Sequence, residues 1–123
     1  MNYELIVFGG GTAGVAAAYI ASKYNIKTLL IEQSDVLGGA ITRGLVIPSM
    51  KLESKSINTE FINDLKMFSD KYSARHTYSD GNELWFNHEL LKIVFDEMLQ
   101  SVNCHVLFSS EPISVNYSAT EHK

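Results

Sequence analysis

The sequence predicts an α/β fold built on a parallel three-stranded sheet, and three features of its first third predict it. Leu5-Ile6-Val7-Phe8 is an unbroken apolar run of β-branched and aromatic side chains, the pattern of a parallel strand buried on both faces. Three glycines, Gly9, Gly10 and Gly11, stop that run, and an alanine-rich stretch follows them. Lys27-Thr28-Leu29-Leu30-Ile31-Glu32 then rebuilds an apolar strand that ends in a carboxylate. Strand, helix and strand in this succession make a βαβ unit whose two strands are parallel and adjacent.

The helix between the strands is expected over Thr12 to Tyr24, where Ala13, Ala16, Ala17, Ala18 and Ala21 favour helix and pack closely on a sheet. From Gln33 to about Ser56 the pattern has no period but carries Gly38, Gly39, Gly44 and Pro48, which reads as a long functional loop lying against something. Ile57, Phe61, Leu65, Phe68 and Tyr72 recur at helical spacing and define a second, amphipathic helix with Asp64, Lys66 and Asp70 outside the stripe. Asp80-Gly81-Asn82 is turn chemistry. Asn87 is placed to cap a third helix, whose stripe is Leu91, Val94, Phe95, Met98 and Val102. His105 to Ser109 reads as the third strand, and Ile113 to Tyr117 alternates as the start of a fourth. The expected sheet order is third, second, first, which leaves one edge of Leu5–Phe8 unpaired and apolar.

Composition narrows the function classes. The chain has 123 residues, 46% hydrophobic and 20% charged, enough for one globular core. Ten Lys and Arg against 14 Asp and Glu leave a net charge of −4 with no basic cluster, so a nucleic-acid surface is not expected. The longest apolar stretch, Leu5 to Ile20, is too short and too rich in glycine to span a membrane. Met1-Asn2-Tyr3-Glu4 lacks the basic start of a secretion signal, and Cys104 has no second thiol to pair with, so a cytoplasmic setting is the expectation. His76, His88, His105 and His122 show no metal-ligand spacing, and no serine sits in a G-x-S-x-G elbow.

The chemistry lies in Gly9-Gly10-Gly11-Thr12-Ala13-Gly14, which supplies G-x-G-x-x-G at Gly9, Gly11 and Gly14 between a strand and a helix. In this motif the first glycine makes the turn, the second admits a pyrophosphate to the backbone, and the third lets helix and strand pack closely. The phosphates then meet unpaired N–H groups at the positive end of the helix. Glu32 follows at about the 20-residue distance where a carboxylate accepts hydrogen bonds from ribose hydroxyls and repels a 2′-phosphate. The fold is thus a partial Rossmann-like, doubly wound one, and its ligand is FAD or NAD in preference to NADP. Spacing alone leaves those two open.

The stretch Gly9 to Val46, with Gly38-Gly39-Ala40-Ile41-Thr42-Arg43-Gly44 inside it, and again Gly81 to Asn87 with the helix after it, resembles the amino-terminal part of FAD-dependent oxidoreductases of the glutathione-reductase-like superfamily. It is more distantly similar to fumarate reductase flavoproteins. The resemblance implies FAD, with its pyrophosphate on Gly9, Gly11, Thr12, Ala13 and Gly14, its adenosine ribose on Glu32, and its flavin half near the loop Gly38 to Gly44; Gln33, Gly38, Gly39 and Thr42 belong to the same cofactor-binding set, and Arg43 is a candidate partner for phosphate. In this superfamily the strand after the third helix offers the adenine a backbone N–H and C=O. The matching position here is Pro112, which has no N–H, so the register shifts to Ile113 or the contact weakens.

Proteins that the chain resembles are much longer. Residues 1–123 are therefore read as the amino-terminal portion of an FAD/NAD(P)-binding domain, without a substrate domain or the returning carboxy-terminal segment, and as incomplete for catalysis. The expected partners are FAD and either the remainder of such a flavoprotein or a second copy of the chain. An NAD-binding module, or a folded remnant serving as an interaction domain, is the alternative. Cys104, Trp85 and Phe86 are assigned to the core, and no catalytic residue is assigned.

Overall fold

The computed structural model of the chain describes residues 1–48, 59–77 and 84–118. Strand β1 (Leu5–Phe8), helix α1 (Thr12–Lys23) and strand β2 (Thr28–Ile31) form the expected βαβ unit. Helix α2 (Thr59–Lys71), strands β3 (Arg75–His76) and β4 (Trp85–Phe86), helix α3 (His88–Ser101) and strand β5 (His105–Leu107) complete the described elements. The expected helix start at Ile57, the Asp80-Gly81-Asn82 turn, Ser49 to Ser56 of the long loop, and His122 lie outside the described residues.

The sheet is parallel in the order β1-β2-β5, as the sequence predicts. Leu5 to Phe8 pair with Thr28 to Ile31, and Leu29 to Ile31 pair with His105 to Leu107. Helix α1 packs on β1 and β2, α3 packs on β5 and against α1, and α2 lies against α3 and α1. The core forms between the helices and one sheet face, where Val15, Leu30, Leu91, Val94, Phe95 and Met98 are fully buried. Asn87 caps α3 as expected, its side chain accepting from the Glu89 and Leu90 amides.

Two expectations fail. Leu5–Phe8 is not buried on both faces, because Ile6 and Phe8 are 47% and 50% exposed. Their row across the sheet, Phe8–Ile31–Leu107, lies opposite the face that α1 and α3 cover. Ile113 to Tyr117 is not a strand, since Ile113, Val115 and Tyr117 are 98%, 75% and 73% exposed and make no ladder. Alternation marks a segment that suits a sheet, but the hydrogen-bonded partner has to exist as well. The antiparallel pair β3–β4, which the sequence did not reveal, holds Phe86 in the core.

Candidate functional site: the glycine turn and the buried carboxylate

Gly9 leaves β1 with its N–H on the Ile31 carbonyl at 2.8 Å and turns the chain at φ +94°, a conformation that favours glycine. Gly11 is the N-cap of α1, so no side chain caps the helix, and the first turn carries no acidic residue. A Cβ on Gly11 would meet nothing within 4 Å, whereas a Cβ on Gly14 would lie 1.8 Å from the Gly9 carbonyl oxygen. The turn is therefore open on its outer side and tight on its inner side. Thr12 and Ala13 are exposed at the open helix end.

Glu32 lies beneath this turn, 7% exposed. Its Oε2 accepts the Gly10 N–H at 2.6 Å and its Oε1 accepts the Ser34 N–H at 2.7 Å. Burial pushes the Glu32 carboxyl up, but the bonds from Ser34 and Gly10 and the charge of Arg43 outweigh it and hold the group below its ordinary range. The carboxylate is thus anionic at neutral pH. Its backbone is engaged too, since the Glu32 N–H donates to Leu107 and the Glu32 carbonyl accepts from Ser110.

The loop after β2 closes on the glycine turn. The Gly38 N–H donates to the Gly10 carbonyl at 2.7 Å, and Gly38 bridges Gly11. Residues 39–44 make a tight turn in which the amides of Arg43 and Gly44 both reach the Gly39 carbonyl. Thr42 is buried, and its hydroxyl donates to the Leu37 carbonyl at 2.6 Å, so that it props the loop from inside. Gln33 and Arg43 are exposed and line an open cavity of about 440 Å³ together with Ser34, Ser109, Ser110 and Glu111.

The structure therefore gathers Gly9, Gly11, Thr12, Ala13, Gly14, Glu32, Gly38 and Gly39 around one turn, with Gln33 and Arg43 on the adjoining cavity and Thr42 behind it. Sequence reasoning missed Ser34 and the 109–111 segment, which carry no motif and arrive only because the chain leaves β5 across the end of β2. It also left Gly10, one of the variable positions of the motif, out of the candidate site. The triple glycine was the available signal. Among the described residues no group of His, Cys, Asp and Glu is arranged to hold a metal, and no helix is long and apolar enough to cross a membrane. Cys104 is buried, as expected, and burial pushes its thiol up.

The sequence profile of the family described as FAD dependent oxidoreductase matches residues 4–123. The chain belongs to that family. Hydrogen cyanide synthase subunit HcnB of Pseudomonas protegens is 21% identical over 118 residues, a match covering 85% of this chain and 25% of that protein. Dihydrolipoyl dehydrogenase of Mycoplasma pneumoniae is 36% identical over 62 residues, covering 50% of this chain and 13% of that one. The chain thus spans about a quarter or less of these relatives. Among solved structures, glycine oxidase from Bacillus cereus aligns with a TM-score of 0.66 at 8% identity, over 96% of this chain and 49% of that one. L-proline dehydrogenase from P. horikoshii aligns at 0.62 and 11%, over 89% and 45%. These likenesses show a shared fold. The cofactor of the family is FAD, and the residues present fit it: an uncapped helix end, a turn open where a Cβ at Gly11 would point, and a buried carboxylate at the end of β2.

Proposed function

We propose that residues 1–123 are the FAD-binding portion of an oxidoreductase, holding the ADP half of the cofactor. The observation that carries this is the uncapped N-terminus of α1 behind a turn that is open at Gly11 and backed by the Glu32 carboxylate. The amides of Gly11, Thr12, Ala13 and Gly14 would hold the pyrophosphate on the positive helix end. Glu32 and Gln33 would take the ribose hydroxyls, and Arg43 supplies a cation at the same mouth. Gly38, Gly39 and the Thr42-propped loop would meet the flavin half, which when bound supplies two-electron oxidation and reduction.

The chain offers no described wall to place a substrate against that half and exclude water, so catalysis belongs to a larger assembly. We infer that the remainder of a longer flavoprotein, or a second copy, completes it. The single buried thiol fits a reducing, cytoplasmic setting. Purified protein should be yellow with flavin absorbance, and Glu32→Ala should weaken FAD binding. Recovery of NAD without flavin would favour an NAD-binding module. Colourless protein that takes up neither nucleotide would favour a folded interaction domain.

A further inference from the structure

Glu32 carries more bonds than a ribose acceptor needs. Both carboxylate oxygens are engaged by backbone amides with no ligand involved, at 2.6 Å to Gly10 and 2.7 Å to Ser34. The peptide unit between Gly9 and Gly10 is gripped at both ends. Its carbonyl oxygen packs against Gly14, where a Cβ would come within 1.8 Å, and its N–H is turned inward onto Glu32. The next carbonyl, that of Gly10, is taken by the Gly38 amide. With Gly10 spent on internal contacts at both its N–H and its C=O, the open side of the turn begins at Gly11.

We propose that Glu32 is a positioning residue for the phosphate-binding turn: through the Gly10 amide its carboxylate fixes the Gly9–Gly11 backbone in the ligand-accepting shape, independently of any bond to ribose. This rests on the dinucleotide reading above but assigns Glu32 a role that reading does not require. A charge-assisted bond to a buried amide is stronger than a neutral one, and its removal leaves the Gly10 N–H without an acceptor. Glutamine has the same shape and one acceptor oxygen, which can keep the Gly10 bond, whereas Glu32→Ala removes both acceptors.

The two roles separate when the ligand loses its ribose hydroxyls. ADP and 2′,3′-dideoxy-ADP are titrated into the wild type and Glu32→Ala by calorimetry. A positioning role predicts that dideoxy-ADP, which has no ribose hydroxyl for Glu32 to accept from, also weakens in the variant, by about tenfold or more. Weakening of ADP alone, with dideoxy-ADP unchanged, would overturn the proposal and leave a simple ribose acceptor. The ligand-free protein gives a second readout, because the Gly10 amide proton should lose its exchange protection in Glu32→Ala. Unchanged protection would also overturn it. If the wild type binds neither nucleotide, the functional reading fails, while the amide readout still decides this one. Should the variant not fold, the Gly10 amide resonance of the wild type should follow titration of the carboxyl, on which Arg43 is the charged neighbour acting. A resonance indifferent to that titration would count against it.

Discussion

A methyl group at Gly14 would sit 1.8 Å from a backbone oxygen, whereas one at Gly10 would press at 2.6 Å on the Leu37 Cδ2, the end of a flexible side chain. The two substitutions should therefore divide stability from binding. Gly14→Ala has to separate α1 from β1, so a loss of at least about 1–3 kcal/mol is expected in thermal or urea unfolding. Gly10→Ala should cost less stability but displace the Glu32 carboxylate, which lies 3.1 Å from the added carbon, and so lower nucleotide affinity more than it lowers the melting temperature. Asn87→Ala, which touches none of the site residues' hydrogen bonds, removes the α3 cap and should cost about 1 kcal/mol with nucleotide affinity unchanged. Acid should act through Glu32. Its carboxyl is held below the ordinary range, so the stability it contributes is present at neutral pH and is lost as pH falls through that lowered value, which unfolding measured from pH 6 downward would reveal. At this scale the motif glycines and Glu32 were legible, because turn, helix end and strand end impose fixed offsets. Ser34, Ser109 and Ser110 were not, because they reach the site through tertiary crossing and not through a pattern.

At the scale of elements, α1 and α2 are tied by a small ionic cluster. Lys23 bonds Glu60 at 2.7 Å and Asp64 at 2.5 Å, and the buried Tyr19 hydroxyl donates to Asp64 at 3.0 Å. Burial, then Asp64, push the Tyr19 hydroxyl up to about 12, so it stays a donor throughout the working pH range. Removing Lys23 takes away a partly exposed cation and should cost under about 1 kcal/mol, less in high salt. Asp64→Ala should cost more, about 1–3 kcal/mol and with little salt dependence, because it leaves the Tyr19 hydroxyl buried without an acceptor. Urea unfolding of the two variants and their double mutant would test the order. The stripes of α2 and α3 and the cap at Asn87 were readable because helical period and capping are local. The two-residue strands β3 and β4 are too short to show a period, and Ile113–Tyr117 showed one without forming a strand.

At the scale of the whole molecule, the described residues leave one sheet face bare. Strand order followed from the βαβ unit and was legible, but what covers the sheet was not, because every described helix packs on the same side. Ile6, Phe8 and Leu107 are each about half exposed, at 47%, 50% and 48%, and β1 has no second neighbour among the described residues. Covering the exposed halves of three such side chains is worth roughly 2–4 kcal/mol per copy. Two copies joined face to face would gain about twice that, against an association cost of about 4–15 kcal/mol. The gain, about 4–8 kcal/mol, covers only the lower half of that cost range, so residues 1–123 alone should self-associate only weakly. A segment of the same polypeptide bears none of the cost of bringing two molecules together and gains the same burial, which favours a covalently linked cover over a dimer. Sedimentation velocity of this chain should show monomer at low micromolar concentration and reversible association above it. Phe8→Ser should suppress that association. A tight dimer at submicromolar concentration, unaffected by Phe8→Ser, would reject the ordering and point to a partner surface elsewhere.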